Sequence, residues 1–329
     1  MKIIQPNVEF IQMPTDKASL LKHIERCGRV CYKSEDKITE GSAEQFIAGI
    51  IKRGHEAVLE HGAIILLIDF DDWLVMRDRI QEMETETEYR SFLNFTCDYG
   101  RPIVSGNIRA WRDFLKVYQH QYGYVFGFMR NLIQRKYPEL FPEFQGEVRF
   151  RFPSENENLP LELQVNNLMT KNERLHHQYQ TLLFTCDRGV THELVRHRPA
   201  SFCQESTRYC NYGKDGFGNE ITVIEPCFFR PDSDEYHIWK FSCMCAEDAY
   251  LAMLEIGRTP QEARAVLPSS LKTELMMTAN LSEWRHVTKL RCAPAAHPQA
   301  RQVMEIGLGM LESHIPETFD DLWENYGNE

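Results

Sequence analysis

The sequence has no apolar run long enough to cross a membrane. A stretch such as residues 62–68 stops far short of the roughly 18–20 residues that a spanning helix needs. The opening segment, Met1-Lys2-Ile3-Ile4-Gln5-Pro6, lacks the apolar core and small-residue cleavage site of a secretory leader. A cytoplasmic location with no membrane partner is therefore predicted. Paired cysteine motifs are missing too. The ten cysteines are scattered, and neither Cys27 with Cys31 nor Cys243 with Cys245 has a second pair at zinc-ribbon spacing. They read as free thiols in a reducing compartment, and no metal site is expected. Basic residues are outnumbered, with Lys and Arg at 37 against Asp and Glu at 48, a formal net charge of −11. That balance argues against a nucleic acid partner held on a broad basic face. It leaves room for a small anion gripped by a few converging arginines.

Two familiar signatures are absent as well. His55-Glu56 with His61 is not the His-Glu-x-x-His of zinc proteases, because the histidines stand six positions apart and not four. Gly213, Gly216 and Gly218 do not link a strand directly to a helix, so they mark a turn and not a dinucleotide fingerprint. What remains is an ordinary soluble composition, 43% hydrophobic and 26% charged over 329 residues. That is ample for one large core or two modest ones.

Periodicity sets the expected elements. Leu20, Leu21, Ile24, Cys27 and Val30 fall at helical spacing within residues 16–32, with Thr15 or Asp16 as N-cap. Residues 42–53 predict a second helix closed by Gly54, and residues 62–68 a buried strand. From about residue 71 to 174, helical patterns such as 107–137 dominate, ending in the polar stretch 154–158. Beyond it come an expected strand over 181–186, a helical turn over 189–195, a turn over 212–219 and a strand over 221–224. A long helix fits 234–256, followed by Gly257. Ser282 is the expected cap of a helix reaching Arg291, and Pro298 opens another.

The densest chemistry lies in Arg196-His197-Arg198-Pro199-Ala200-Ser201-Phe202-Cys203-Gln204-Glu205-Ser206-Thr207-Arg208-Tyr209. Pro199 disfavours helix at Arg198 and pushes the chain into an extended form. If the stretch beyond it stays extended, Gln204, Ser206 and Arg208 share one side. Such a row of donors suits a phosphate and a polar base, since guanidinium forks grip phosphate and amides and hydroxyls complete the pattern. It also reads as a charged strand edge guarded against aggregation.

Arg-His-Arg, seven residues, then Ser resembles the signature of the flavin-dependent thymidylate synthases, here Arg196, His197, Arg198 and Ser206. The lead-in Cys186-Asp187-Arg188-Gly189-Val190-Thr191-His192-Glu193-Leu194-Val195 is similar to that family's. So are His55-Glu56-Ala57-Val58-Leu59-Glu60-His61, Ala263-Arg264-Ala265-Val266-Leu267-Pro268, and the segment from Asn280-Leu281 to Leu290-Arg291.

The resemblance implies an α+β (mixed α/β) core, like that of the thymidylate synthase-complementing proteins, over residues 1–70 and 181–329. Residues 71–180 would be a helical insertion, with a structural or assembly role or as a lid. It further implies a homotetramer that binds FAD and converts dUMP to dTMP, with methylene-tetrahydrofolate and NADPH as co-substrates. Carried over by position, Arg196, His197, Arg198 and Ser206 would be catalytic, Ser206 by positioning, because no base neighbours it in sequence. His61, Arg196, His197, Arg198, Gln204, Asn280 and His286 would contact the flavin. Glu193, Gln204, Ser206, Thr207, Arg208, Arg264 and Arg291 would seat dUMP. Cys203 stands where the family often has Asn, Gln204 where it has Glu, Glu193 where it has Gln, and Ser282 where it has Arg. These departures keep two alternatives open: a related flavin enzyme acting on another pyrimidine nucleotide, for instance by hydroxymethylation, and a non-catalytic flavin-binding paralogue.

Overall fold

The computed structural model describes residues 1–67, 93–98, 101–118, 123–144, 161–162 and 169–327. The polar stretch 154–158 and residues 71–92 lie outside the described residues. In chain order the strands are β1 (Lys2–Ile4), β2 (Asn7–Ile11), β3 (Ala63–Leu67), β4 (Asn94–Asp98) and β5 (Arg101–Asn107). They continue with β6 (Leu161–Glu162), β7 (Tyr179–Asp187), β8 (Ala200–Gln204), β9 (Thr222–Ile224) and β10 (Lys272–Asn280). The helices are α1 (Lys17–Val30), α2 (Ser42–Lys52), α3 (Ile108–Tyr118), α4 (Gly123–Lys136), α5 (Lys171–His177) and α6 (Arg188–Leu194). After them come α7 (Asp234–Glu255), α8 (Pro260–Ala263), α9 (Leu281–Arg291), α10 (Pro298–His314) and α11 (Pro316–Tyr326). The fold is mixed α+β. Its contacts divide the chain into two compact units, Met1–Ile11 with Gly28–Asp36 and Thr181–Glu329, and Gln12–Cys27 with Lys37–Gln180.

The first unit is built on a four-stranded sheet in the order β2-β7-β10-β8, with β2 antiparallel to β7 and β10 antiparallel to β8. The inner strands β7 and β10 are buried along most of their length. Each carries a short apolar centre, Leu182-Leu183-Phe184 in β7 and Leu275-Met276-Met277 in β10, where the strand is covered on both faces. Thr181 and Thr278 pair their hydroxyls at 2.6 Å, satisfying two polar groups inside this layer. Helix α10 packs on β2. Gly307 faces Leu182 and Phe184 of β7, where an added Cβ would make ordinary contact at 3.6 and 3.7 Å. Trp284, Leu308, Leu311 and Phe319, from α9, α10 and α11, are fully buried. Each such side chain contributes about 1.5–3 kcal/mol.

Helix α7 follows the sequence expectation closely. Ser233 caps it by accepting from the Tyr236 amide at 3.3 Å, and Gly257 ends it at a φ of +87°, where a side chain would be strained. Its buried face, Tyr236, Cys243 and Tyr250, covers a cluster that includes Ile221, Val223 and Leu271.

In the second unit β4-β5-β3-β6 form an antiparallel sheet. The segment 71–180, read from its sequence as helical, therefore contributes strands β4, β5 and β6 as well as helices. Over 107–137 the described residues form helices α3 and α4, directly after strand β5. Trp111 anchors α3 by donating its indole N–H to the Ile64 carbonyl at 3.1 Å. Asp16 caps α1, its Oδ1 accepting from the Ser19 amide at 2.8 Å. Gly62, between His61 and β3, is closely surrounded. A Cβ there would meet Ile24 Cδ1 at 2.9 Å and Leu20 Cδ1 at 3.0 Å.

Candidate functional site

Strand β7 runs straight into α6 through Asp187, whose Oδ1 caps the helix by accepting from the Val190 amide at 2.8 Å. Its Oδ2 accepts from Gln299 at 2.9 Å. Burial raises this carboxyl above its ordinary range, against the pull of the Val190 and Gly189 amides. Helix α6 lasts only to Leu194, and Pro199 ensures that it cannot resume before β8. The intervening turn carries Arg196-His197-Arg198, with the His197 amide donating to the Leu194 carbonyl at 3.1 Å. Its side chains separate by exposure. Arg196 and Arg198 are exposed, whereas His197 is only 5% exposed.

Around His197 the fold joins residues nearly a hundred positions apart. Arg291, the last residue of α9, donates from Nε to His197 Nε2 at 3.0 Å. Its Nη1 donates to Glu193 Oε2 at 2.6 Å and its Nη2 to the Glu193 carbonyl at 2.5 Å. Every nitrogen of that guanidinium is engaged. Arg196 Nη1 reaches the same Glu193 oxygen at 3.5 Å. On the other side of the ring, His197 Nδ1 lies 3.3 Å from Glu283 Oε1, and His286 stands edge-on at a centroid distance of 5.8 Å. Donor atoms of His197, Glu283 and His286 lie within 4.8 Å of one another, a spacing that a cation could share. The Nε2 of His197 is already accepting from Arg291, so its proton belongs on Nδ1 and no lone pair faces the cluster.

The expected donor row is corrected by the structure. Strand β8 stops at Gln204, and the Tyr209 and Cys210 amides both donate to the Ser206 carbonyl, at 3.1 and 2.9 Å. Ser206 Oγ accepts from the Arg208 amide at 3.3 Å, the local bond by which serine starts a turn instead of extending a strand. Gln204, Ser206 and Arg208 therefore do not form one strand face. The Gln204 amide donates to Thr191 and Thr273 at 3.1 and 3.3 Å. Arg208 is exposed, its guanidinium 5.4 Å from the Tyr209 ring centre, and Tyr209 leans on Tyr32 at 4.9 Å. Arg264 arrives from a distant turn and donates to Thr207 Oγ1 at 3.5 Å. The Ser206 amide donates to the Cys31 carbonyl at 3.0 Å. The Cys31 thiol hydrogen-bonds Cys203, which lowers its pKa against the effect of burial.

Asn280, not Ser282, caps α9, its Oδ1 accepting from the Glu283 amide at 2.8 Å. The asparagine expected at the flavin thus holds the helix that carries Glu283, His286 and Arg291. His61 belongs to the second unit, where it is fully buried as the last residue of the short 3-10 turn Glu56–His61. Two features escaped sequence reading. Glu283 is one. Its signal was present, since it sits three residues before His286 and so shares that helix face. The other is Glu205, 2% exposed, which accepts from Lys272 Nζ at 2.9 Å and from the Tyr212 hydroxyl at 3.1 Å.

These elements define an α+β protein whose basic turn is cross-linked to a distant helix. Residues 163–317 match the family model of the thymidylate synthase complementing protein. The chain is 31% identical over 134 residues to the flavin-dependent thymidylate synthase of Geobacter sulfurreducens, covering 41% of this chain and 56% of that one. With the Pyrococcus furiosus protein of the same name it shares 34% over 118 residues, covering 36% and 48%. A crystal structure of Helicobacter pylori flavin dependent thymidylate synthase ThyX, complexed with FAD and dUMP, aligns at 20% identity over 44% of this chain and 72% of that chain, with a TM-score of 0.35. The chain spans about half the length of the curated relatives it matches. The resemblance to the flavin-dependent thymidylate synthases rests on residues 163–317, which hold the Arg196 turn, Arg264 and α9 but not His61.

Proposed function

We propose that this chain is an FAD-dependent thymidylate synthase that methylates dUMP to dTMP, using methylene-tetrahydrofolate as carbon donor and NADPH as reductant. We place it in the cytoplasm as a homotetramer. One observation carries the reading: Arg291 from α9 bonds both His197, inside the Arg-His-Arg turn, and Glu193 of α6. The donor set suits a flavin nucleotide. Arg196, Arg198, Arg208 and Arg264 are exposed guanidinium groups, and His286 offers an exposed ring. When bound, FAD supplies the hydride that completes the methyl group.

The chain's own residues supply position and charge. Arginine stays ionised at any working pH and matches phosphate oxygens in pairs, so Arg208 and Arg264 fit a nucleotide phosphate despite the acidic chain. Arg196 and Arg198 would face charge developing on flavin or pyrimidine, as donors fixed before reaction, which is commonly the largest catalytic contribution. Ser206 orients and does not attack. Residues 1–70 and 181–329 would form the catalytic core, with 71–180 added for structure or assembly. The exposed stripe of Ile238 and Phe241 on α7, each 67% exposed, supports self-association.

The test is spectroscopic and chemical. Purified protein given FAD should turn yellow, bleach with NADPH faster when dUMP is present, and form dTMP when dUMP and dCMP are offered together. Product from dCMP alone would move the assignment to a related pyrimidine enzyme. Protein that retains no flavin after FAD is added would exclude both.

A further inference from the structure

We infer that Glu283 is a positioning residue for this chemistry: its carboxylate keeps the ring proton of His197 on Nδ1, so that Nε2 remains the anchor of Arg291. A guanidinium has donors only, and Arg291 Nε points at His197 Nε2 from 3.0 Å. That nitrogen must therefore present a lone pair, and a neutral imidazole then carries its proton on the other nitrogen. The other nitrogen, Nδ1, faces Glu283 Oε1 at 3.3 Å. An ionised carboxylate accepts only, and Glu283 Oε1 is buried without a hydrogen bond of ordinary geometry among the described residues; His197 Nδ1, 3.3 Å away, is the ring nitrogen that faces it. A buried oxygen of that kind is costly unless a proton is turned toward it.

The arrangement is a clamp from one helix. Glu283 stands in the first turn of α9 and Arg291 closes the last, and His197 from a separate turn lies between them, bonded by Arg291 at Nε2 and facing the carboxylate with Nδ1 at 3.3 Å. Asn280 fixes the Glu283 amide at 2.8 Å, and the fully buried Leu281 and Trp284 flank the carboxylate in sequence. Without the carboxylate, the proton is free to move to Nε2. A donor would then face the donors of Arg291, and the guanidinium that also holds Glu193 would lose its third contact. The consequence for dUMP rests on the proposed role of Arg291, but the position of the proton does not.

Solid-state nitrogen-15 spectra of histidine-labelled protein, with the His197 signal identified by its loss in His197→Gln, read the tautomer without flavin or nucleotide. Wild type should show Nδ1–H, Glu283→Ala should shift the signal toward Nε2–H, and Glu283→Gln, which keeps an acceptor oxygen, should restore Nδ1–H. An Nε2–H ring in wild type, or the same spectrum in all three proteins, overturns the proposal. A spectrum changed by EDTA also overturns it, because Glu283 would then be balancing a cation and not a proton. In FAD-loaded protein, Glu283→Ala should weaken dUMP binding by about ten-fold or more, with near-wild-type affinity in Glu283→Gln. The same substitution should add little when Arg291 is already alanine. Equal losses in Gln and Ala variants, or a full further loss in the Arg291→Ala background, would sink the link to Arg291. Should Glu283→Ala not fold, the Gln variant and wild type decide the matter. A correct tautomer in protein that binds neither FAD nor dUMP would refute the functional reading and leave the clamp standing.

Discussion

His23 is 6% exposed on the buried side of α1, with Cys27 Sγ 3.8 Å from its Nε2. Burial pushes its pKa down to about 4 from the usual 6.5, and Arg26 pushes the same way, while a hydrogen bond to the His61 backbone opposes them. The folded chain thus keeps His23 neutral where the unfolded chain takes up a proton. Stability is full above pH 6.5, falls as pH drops toward 4, and levels off below that. Across this window the loss is about 3 kcal/mol. Urea midpoints at pH 7 and pH 4.5 should therefore differ in wild type by clearly more than in His23→Leu. Equal drops in both proteins would show that other groups set the acid sensitivity. The same scale shows what single residues disclose. Arg196, His197 and Arg198 declare themselves by their motif. The pairing of Glu193 with Arg291 does not, because 98 residues separate them and only the packing of α9 brings them together. The engagement of Gln204 with Thr191 and Thr273 was hidden for the same reason.

Elements were more legible than contacts, because helix and strand patterns are local. The seven-residue helix α6, the long α7 and the Pro298 start of α10 fall where period, cap and breaker residues place them. Sequence reading failed where two local rules compete. Ser282 and Asn280 are both good caps, and tertiary packing chose Asn280, with Leu281 and Trp284 then buried. Beyond Gln204 the alternation suggested a longer strand, but Ser206 bonded to its own neighbourhood and ended it. The cap assignment has a measurable consequence. Asn280→Ala should lower stability by about 1 kcal/mol, and Asn280→Asp, which keeps the accepting oxygen, should lower it by far less. Both should be read as urea midpoints in flavin-free protein. If Asn280 instead serves chiefly as a ligand, Ala and Asp would leave the midpoint alone and reduce FAD affinity alike.

At the scale of the whole molecule, α7 poses the sharpest question. Its buried face is complete, with Tyr236, Cys243 and Tyr250 at 8%, 2% and 0% exposure. The opposite face is also apolar: Ile238, Phe241 and Cys245 recur at i, i+3 and i+7, and Met244 is 46% exposed nearby. An exposed apolar stripe on a helix that otherwise carries charged residues marks a surface awaiting a partner. The proposed homotetramer supplies one, since a second copy brings the same stripe, which is what a two-fold contact requires. Phe241→Asp places a charge where that contact would be dry, without touching the buried face. Light scattering should then report a mass below that of four chains, while circular dichroism at low concentration keeps the wild-type helix signal. Turnover should fall in step with the loss of assembly if the sites are completed by neighbouring copies, and should recover partly as protein concentration rises. An unchanged mass for Phe241→Asp would mean that this stripe is not the assembly surface. A wild-type chain that is already monomeric would remove the tetramer from the proposal.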